Sequence, residues 1–195
     1  MIATAHAFVF GLLFALAACT TTKPQPPGGQ QPAQPQSWPL LAPATLGADE
    51  QVKQLLRVAV GDKAFNLQCV VTVRDGRMSI IGVTPLGLRA FSVDYDGSTV
   101  NETRAPQMPE FITGARLLND IQFAFWPLAE LTGALQGTGW TVGEPFPGTR
   151  RLLRDGRLYA EVHYADTQPW SGRIWLSNFQ DRYSLSIVTS PLANP

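Results

Sequence analysis

Much of the chain after residue 50 alternates between apolar and polar positions with a period of two. The clearest run covers residues 65–73, where one side of the pattern carries Phe65, Leu67, Cys69, Val71 and Val73. Strict alternation is typical of a β-strand with one buried and one wet face. The Asp75-Gly76 dipeptide that follows predicts a tight hairpin turn.

Two groups of strands follow from this pattern. The first group continues with strands over residues 78–83, 88–95 and 98–103, with a turn at Asp96-Gly97. Residues 52–60, which precede it, fit an opening strand or a short helix, and the pattern favours the strand. The second group comprises residues 150–154, 158–164, 173–178 and 183–188. Each group is predicted to be an antiparallel meander.

The region between the two meanders has helical spacing. Its apolar positions recur every three or four residues at Phe111, Ala115, Leu118, Ile121 and Phe125, while Arg116, Asn119 and Asp120 lie elsewhere on the helical wheel. Trp126-Pro127 interrupts this helix, and a second helix is predicted over residues 128–135, stopped near Gly137. Residues 139–148 are predicted to form a loop that contains Trp140 and Phe146.

This order of elements predicts an α+β fold. We expect a strongly curved antiparallel sheet, an unclosed β-barrel, with two or three helices covering its concave face. Such a concavity can hold an apolar ligand. The residues expected to bind a hydrophobic cargo are Leu117, Leu118, Ile121, Phe125, Trp126 and Leu131. The alternative is that these side chains, with Phe123, Trp140, Trp170 and Trp175, form an ordinary core.

The N-terminal region has a different composition. An apolar run from Ala7 to Ala18 has the length of a signal-peptide core, since crossing a bilayer takes ~20 apolar residues. Leu16-Ala17-Ala18-Cys19 resembles the lipobox of bacterial lipoproteins, which implies cleavage before Cys19 and acylation of its thiol. The alternatives are an ordinary secretory signal or a short apolar helix, and the absence of Lys and Arg from residues 1–6 supports them.

The domain organisation follows from this shift in composition. Residues 1–18 are assigned to a lipoprotein signal peptide. Residues 19–39 are assigned to the lipidated Cys19 and a disordered tether rich in Pro and Gln, which cannot build a packed core. Residues 40–195 are assigned to one globular domain.

Charge and composition exclude several functions. Lys and Arg together number 15, as do Asp and Glu, so the net charge of zero shows no nucleic-acid footprint. With His6 in the signal, His163 is the single mature histidine, and no metal site or cofactor motif is expected. Cys69 has no cysteine partner once Cys19 is acylated, and it is expected to be a small buried hydrophobe.

The chain is not expected to be an enzyme. His163 is expected on the outer face of its strand, beside Glu161 and near Asp166, and no nucleophile elbow is present. An esterase would require a serine within hydrogen-bond reach of His163.

The connection Thr84-Pro85-Leu86-Gly87 places an apolar residue in a loop. Leu86 either touches membrane lipid or cargo, or folds back onto the sheet.

The order of these elements, together with Pro85-Leu86-Gly87 and the lipobox, resembles the outer-membrane lipoprotein receptor LolB and its periplasmic partner LolA. Within that group the chain looks most like small lipoproteins, some of which are encoded beside aryl-polyene pigment genes. The resemblance implies a half-barrel with a helical lid, an acyl-chain cavity and no enzymatic activity. Thr20, in place of an Asp after the lipidated cysteine, implies a lipid-anchored place in the outer membrane of a Gram-negative bacterium, facing the periplasm.

The function expected from the resemblance is to bind a hydrophobic cargo and assist its placement in the outer membrane. The cargo would be an acyl chain, a lipoprotein or a lipid-linked pigment, received from a LolA-like carrier. The alternative is a non-enzymatic interaction module that holds a partner protein at the membrane and has a self-filled core.

Overall fold

A computed structural model describes residues 37–166 and 168–192. It contains a short 3-10 helix, Pro43–Leu46, two α-helices, α1 (Gly114–Phe125) and α2 (Leu128–Leu135), and ten strands. The strands are β1 (Glu50–Val60), β2 (Lys63–Arg74), β3 (Arg77–Val83), β4 (Arg89–Tyr95), β5 (Val100–Arg104), β6 (Trp140–Phe146), β7 (Thr149–Arg154), β8 (Arg157–Tyr164), β9 (Gly172–Asn178) and β10 (Tyr183–Pro191). No helix in these ranges is long and apolar enough to cross a membrane.

All ten strands belong to one antiparallel sheet in the order β5-β4-β3-β2-β1-β10-β9-β8-β7-β6. Each half of the sheet is a meander of consecutive strands, and the first and last strands pair at its centre, from Val52 with Pro191 to Val60 with Tyr183. The edge strands β5 and β6 do not pair with each other, so the barrel is unclosed. The predicted fold class is confirmed, with two α-helices.

The sheet curves around α1. Gly114, at the start of α1, donates its N–H to the Glu102 carboxylate on β5, and Tyr164 on β8 donates to the Ala124 carbonyl 2.6 Å away, near the helix end. In a flat sheet β5 and β8 would be roughly 34 Å apart at ~4.8 Å per strand. Because a twelve-residue helix is only about 18 Å long, the two strands can reach it only if the sheet is strongly bent.

The inner face of the sheet and the two helices share one hydrophobic core. The predicted alternation in β2 is confirmed, since Leu67, Cys69, Val71 and Val73 are buried and the residues between them are more exposed. Cys69 is a free, buried thiol, as expected, and burial raises its pKa to about 12.

The helix boundaries have local causes. α1 begins at Gly114, later than the predicted Phe111, because the Thr113 hydroxyl accepts a hydrogen bond from the Arg116 N–H and caps the helix. It ends at Phe125 because the proline at position 127 forces the preceding Trp126 into an extended backbone conformation. α2 then follows at once, as the Trp-Pro break predicts.

The sequence-based prediction of a loop over residues 139–148 is wrong, because residues 140–146 form β6. Gly143 and Pro145 hid the strand, and Pro145 is tolerated because β6 lies at a sheet edge, with an irregular register towards β7. Simple alternation along β8 would place Leu158 on the same side as the buried Ala160, but Leu158 is exposed because the register of β8 shifts at Leu152 and Leu153 of β7.

The predicted tether ends too late in the sequence. Trp38 is only 4% exposed and belongs to the core, so the packed domain begins before residue 40. The segment after it runs along α1: the Leu41 backbone exchanges hydrogen bonds of 2.9 and 2.7 Å with the Gln122 amide, and Trp126 Nε1 donates to the Thr45 hydroxyl. The predicted signal peptide, Cys19 and residues 20–36 of the tether lie outside the described residues.

Candidate functional site

Two neighbouring cavities lie beside the N-terminal half of α1. The first, which we call the polar cavity, has a volume of about 130 Å³ between α1 and strands β7 to β10. Its apolar wall includes Trp38, Phe123 and Leu152, and its polar wall is formed by Arg116, Asn119, Asp120, Tyr159, Asn178 and Tyr183.

The second cavity, which we call the apolar cavity, has a volume of about 30 Å³. Most of its lining is aliphatic or aromatic and includes Leu56, Val58, Leu67, Phe91, Leu117 and Leu185. Arg116, Asp120 and Tyr183 line both cavities. The side chains of these three residues therefore separate the polar cavity from the apolar one.

A hydrogen-bond network holds the N-terminal half of α1 to the sheet. The Tyr183 hydroxyl donates to the two Asp120 carboxylate oxygens at 2.7 and 2.8 Å. Arg116 Nη1 lies 2.6 Å from Asp181 Oδ2, in the turn between β9 and β10, and the Tyr159 hydroxyl donates to the same oxygen at 2.9 Å. Asn178 Nδ2 donates to the Tyr183 hydroxyl at 3.3 Å. We call this set the α1 latch.

Burial controls the protonation of the latch. The pKa of Asp120 is raised to about 7, mainly by burial and also by the Asp181 charge, while the Tyr183 hydroxyl and the Arg116 charge oppose the shift. Burial and the Asp120 charge raise the pKa of Tyr183, and burial raises that of Tyr159 to about 12. Both tyrosines therefore remain neutral donors at neutral pH, while Asp120 is the member of the latch that changes charge near pH 7.

Asn119 lies beside the latch with an unmet hydrogen-bonding requirement. It lines the polar cavity, is 7% exposed, and its buried amide oxygen accepts no hydrogen bond within the described residues. A buried acceptor without a donor costs ~1–3 kcal/mol, so such groups are rare in folded proteins.

The C-terminal end of α1 is held by different groups. Arg150 on β7 is 5% exposed, and its Nη1 donates to the Phe123 and Trp126 carbonyls at 2.9 and 2.8 Å. Its Nε and Nη2 donate to one Glu144 carboxylate oxygen at 3.0 and 2.8 Å. A cation at this end also complements the helix dipole.

The sequence-predicted cargo residues do not line one common cavity. Leu118, Ile121 and Leu131 are packed in the core, and Leu117 lines the apolar cavity. Phe125 and Trp126 line a separate groove of about 270 Å³ at the other end of α1, where Trp170 stacks on Phe125 with ring centroids 4.5 Å apart.

Leu86 is 86% exposed, so the alternative in which it folds back onto the sheet is wrong. Its loop is closed by two backbone hydrogen bonds, from Thr84 N–H to the Leu88 carbonyl and from Gly87 N–H to the Thr84 carbonyl, both 2.9 Å. Gly87 has a φ of 77°, a left-handed conformation that glycine adopts without strain. The loop therefore presents an apolar side chain on a compact hydrogen-bonded turn.

His163 lies on the outer face of β8, as expected. Its Nε2 is 2.6 Å from Glu161 Oε1, and its Nδ1 is 3.2 Å from the Thr149 hydroxyl. The neighbouring hydroxyl is therefore a threonine rather than the serine that an esterase would require. Glu161 also binds Arg151, at 2.5 Å. Within residues 37–166 and 168–192, no cluster of His, Cys, Asp and Glu could hold a metal ion.

The α1 latch was missed by sequence reasoning, which placed Arg116, Asn119 and Asp120 on the polar side of the helix. The available signal was the spacing of Arg116 and Asp120 by one helical turn inside a short helix. Their partners Asp181 and Tyr183 are far away in sequence, and only the pairing of β10 with β1 and β9 brings them to α1.

The comparisons with known proteins concern the whole domain. No curated protein matches this sequence. The solved structure of a LolA superfamily protein from Nitrosomonas europaea is similar with a TM-score of 0.47 and 12% sequence identity, over 79% of this chain and 91% of that chain. Residues 51–191, from β1 to the end of β10, match the model of a family described as protein of unknown function (DUF3261). The chain therefore belongs to the DUF3261 family.

Proposed function

We propose that this protein binds a hydrophobic cargo between α1 and the inner face of the sheet and assists its placement in the outer membrane. The observation that carries the proposal is the arrangement of α1 over an unclosed sheet. Polar side chains hold the helix at its two ends, and an apolar cavity lies beside its N-terminal half. A helix held in this way can be displaced without dismantling the sheet.

The size of the apolar cavity requires such a displacement. Ligand pockets usually measure ~300–1,000 Å³, whereas this cavity measures about 30 Å³. Removing a chain of twelve methylenes from water is worth roughly 10 kcal/mol. Releasing the charged and neutral contacts of the latch costs ~3–5 kcal/mol. Cargo burial therefore exceeds the cost of releasing these polar contacts.

The remaining parts of the proposal concern location and partners. Acylation of Cys19 would anchor the chain to the outer membrane, and the tether would let the domain reach into the periplasm. The exposed Leu86 would contact lipid while cargo leaves, and a LolA-like carrier would deliver the cargo. The transfer needs neither a cofactor nor covalent chemistry, because apolar groups are shielded from water both in the protein and in the membrane.

Native mass spectrometry of the full chain with Cys19→Ser, offered dodecanol or dodecanoate, tests the proposal. We expect uptake of one molecule. Leu117→Trp, which fills the apolar cavity, should reduce this uptake, whereas Leu158→Trp adds the same bulk on the outer face and should leave it unchanged. If the chain with Cys19→Ser alone takes up neither compound, cargo binding is refuted.

A second candidate is an interaction module with a self-filled core. The tight packing of Leu118, Ile121 and Leu131 favours it, as does the exposure of Leu55 and Trp175 on the outer face of the sheet. This function predicts no uptake of the offered lipids together with loss of partner binding when Trp175 is replaced by serine.

A further inference from the structure

The polar cavity is built to accept hydrogen bonds. Asn119 lines this cavity, and its buried amide oxygen has no donor within the described residues, so a ligand N–H or O–H group that reaches the oxygen would satisfy it. Among the residues that the structure describes, the Asp120 carboxylate, on the next residue, accepts only from the Tyr183 hydroxyl. Asn119 and Asp120 therefore both line this cavity, and no protein donor within the described residues reaches the Asn119 amide oxygen.

The charges favour a cation. Arg116 is committed to Asp181 at 2.6 Å, and within the described part of the chain no Lys, Arg or His side chain forms an ion pair with Asp120. The latch carries two carboxyl groups and one guanidinium, so its charge is negative whenever Asp120 is ionised. A primary ammonium group supplies one positive charge and three donors, which matches Asp120 and Asn119 together.

The size of the cavity limits the group to a few heavy atoms. A water molecule needs at least ~10–15 Å³ of cavity volume, so a cavity of about 130 Å³ can hold a small head group and some of its water. The apolar cavity lies just beyond Arg116, Asp120 and Tyr183, where the first carbons of an attached chain would go. The polar cavity therefore suits the head group of an amphiphile, and the apolar cavity suits its chain.

We propose that the polar cavity binds the primary ammonium head group of an aliphatic amphiphile, through the Asn119 amide oxygen and the Asp120 carboxylate. This inference rests on the proposed function, because the tail of the amphiphile occupies the cargo space beside α1. It adds the chemical class of the head group, which the fold alone does not specify.

Calorimetric titration of the full chain with Cys19→Ser at pH 8 tests the assignment with three ligands of equal chain length: dodecylamine, dodecanol and dodecanoate. We expect dodecylamine to bind at least about tenfold more tightly than the other two, the effect of one charge-assisted hydrogen bond. Equal affinity for all three ligands overturns the ammonium assignment and leaves cargo binding intact. No binding of any ligand overturns both proposals.

Variants locate the head group. Asn119→Leu removes the unpaired acceptor at nearly constant volume, so dodecylamine affinity should fall while dodecanol affinity stays the same. Asn101→Leu, at an exposed position of β5, is the matched control and should change neither. Equal losses for amine and alcohol in Asn119→Leu would overturn the contact. The head-group series needs no variant and decides the assignment even if Asn119→Leu fails to fold.

The ammonium group has two sources, a free amine or an aminophospholipid. Lysophosphatidylethanolamine and lysophosphatidylcholine distinguish them, because the two share the phosphate and only the first carries N–H donors. Preferential binding of lysophosphatidylethanolamine assigns the site to a phospholipid head group. Binding of dodecylamine without binding of either phospholipid assigns it to a simple amine.

Discussion

Replacing Arg150 by methionine should destabilise the domain by a large and specific amount. The guanidinium donates to two backbone carbonyls at the end of α1 and to Glu144, and it is almost fully buried. Methionine keeps most of the volume but leaves the Phe123 and Trp126 carbonyls without this donor. Each hydrogen bond from a charged group is worth ~1.5–3 kcal/mol, so we expect a loss of ~3–5 kcal/mol.

Arg151 provides a matched control because it is the next residue of β7 and points to the outer face. Its guanidinium pairs with Glu161, and 38% of its side chain is exposed. Partly exposed ion pairs contribute ~0–1 kcal/mol, so Arg151→Met should cost clearly less than Arg150→Met even though only 12% of the Glu161 side chain is exposed. Urea unfolding followed by circular dichroism measures both variants. Equal destabilisation by the two substitutions would refute the role assigned to Arg150 at the end of α1.

Three further predictions follow from individual side chains. Asp120 has a folded-state pKa of about 7, above its unfolded value, so between pH 8 and pH 6 the folded state takes up a proton that the unfolded state does not. Lowering the pH from 8 to 6 should therefore raise the free energy of unfolding in urea by ~1 kcal/mol, and Asp120→Asn should remove that gain. Leu86→Ser should leave the unfolding midpoint unchanged, because the side chain is exposed, but should weaken sedimentation of the chain with phospholipid vesicles; unchanged sedimentation would contradict a membrane role for this loop. Cys69 should resist a water-soluble thiol reagent until the domain unfolds, since it is buried with a pKa of about 12.

The sequence predicted most elements of the fold because each of them is indicated by a local pattern. Alternation in β2, the glycine turns and the Trp126-Pro127 break each act within a few residues. Strand β6 was missed because its glycine and proline residues weaken the strand pattern, and they are tolerated only at an edge, which is a property of the whole sheet.

The candidate site could be predicted only in part. The apolar side of α1 was visible in the sequence, but the pairing of Arg116 with Asp181 and of Asp120 with Tyr183 depends on contacts between residues far apart in the chain. The helical wheel places Asn119 away from the apolar positions of α1, whereas the structure buries it beside a cavity. Periodicity indicates which side of a helix is apolar, but it does not show how far the neighbouring strands extend around it.

The pairing of β1 with β10 has a consequence for how the chain folds. Each meander is made of neighbouring strands and can form from local contacts, whereas residues 52–60 must find residues 183–191 across almost the whole domain. Closing so long a loop carries a large entropic cost, so this pairing is expected to be the slow step of folding. During synthesis, the two halves of the sheet cannot join until the last strand has emerged. A chain truncated before β10 would therefore present two separate meanders, each with an additional unpaired edge prone to aggregation.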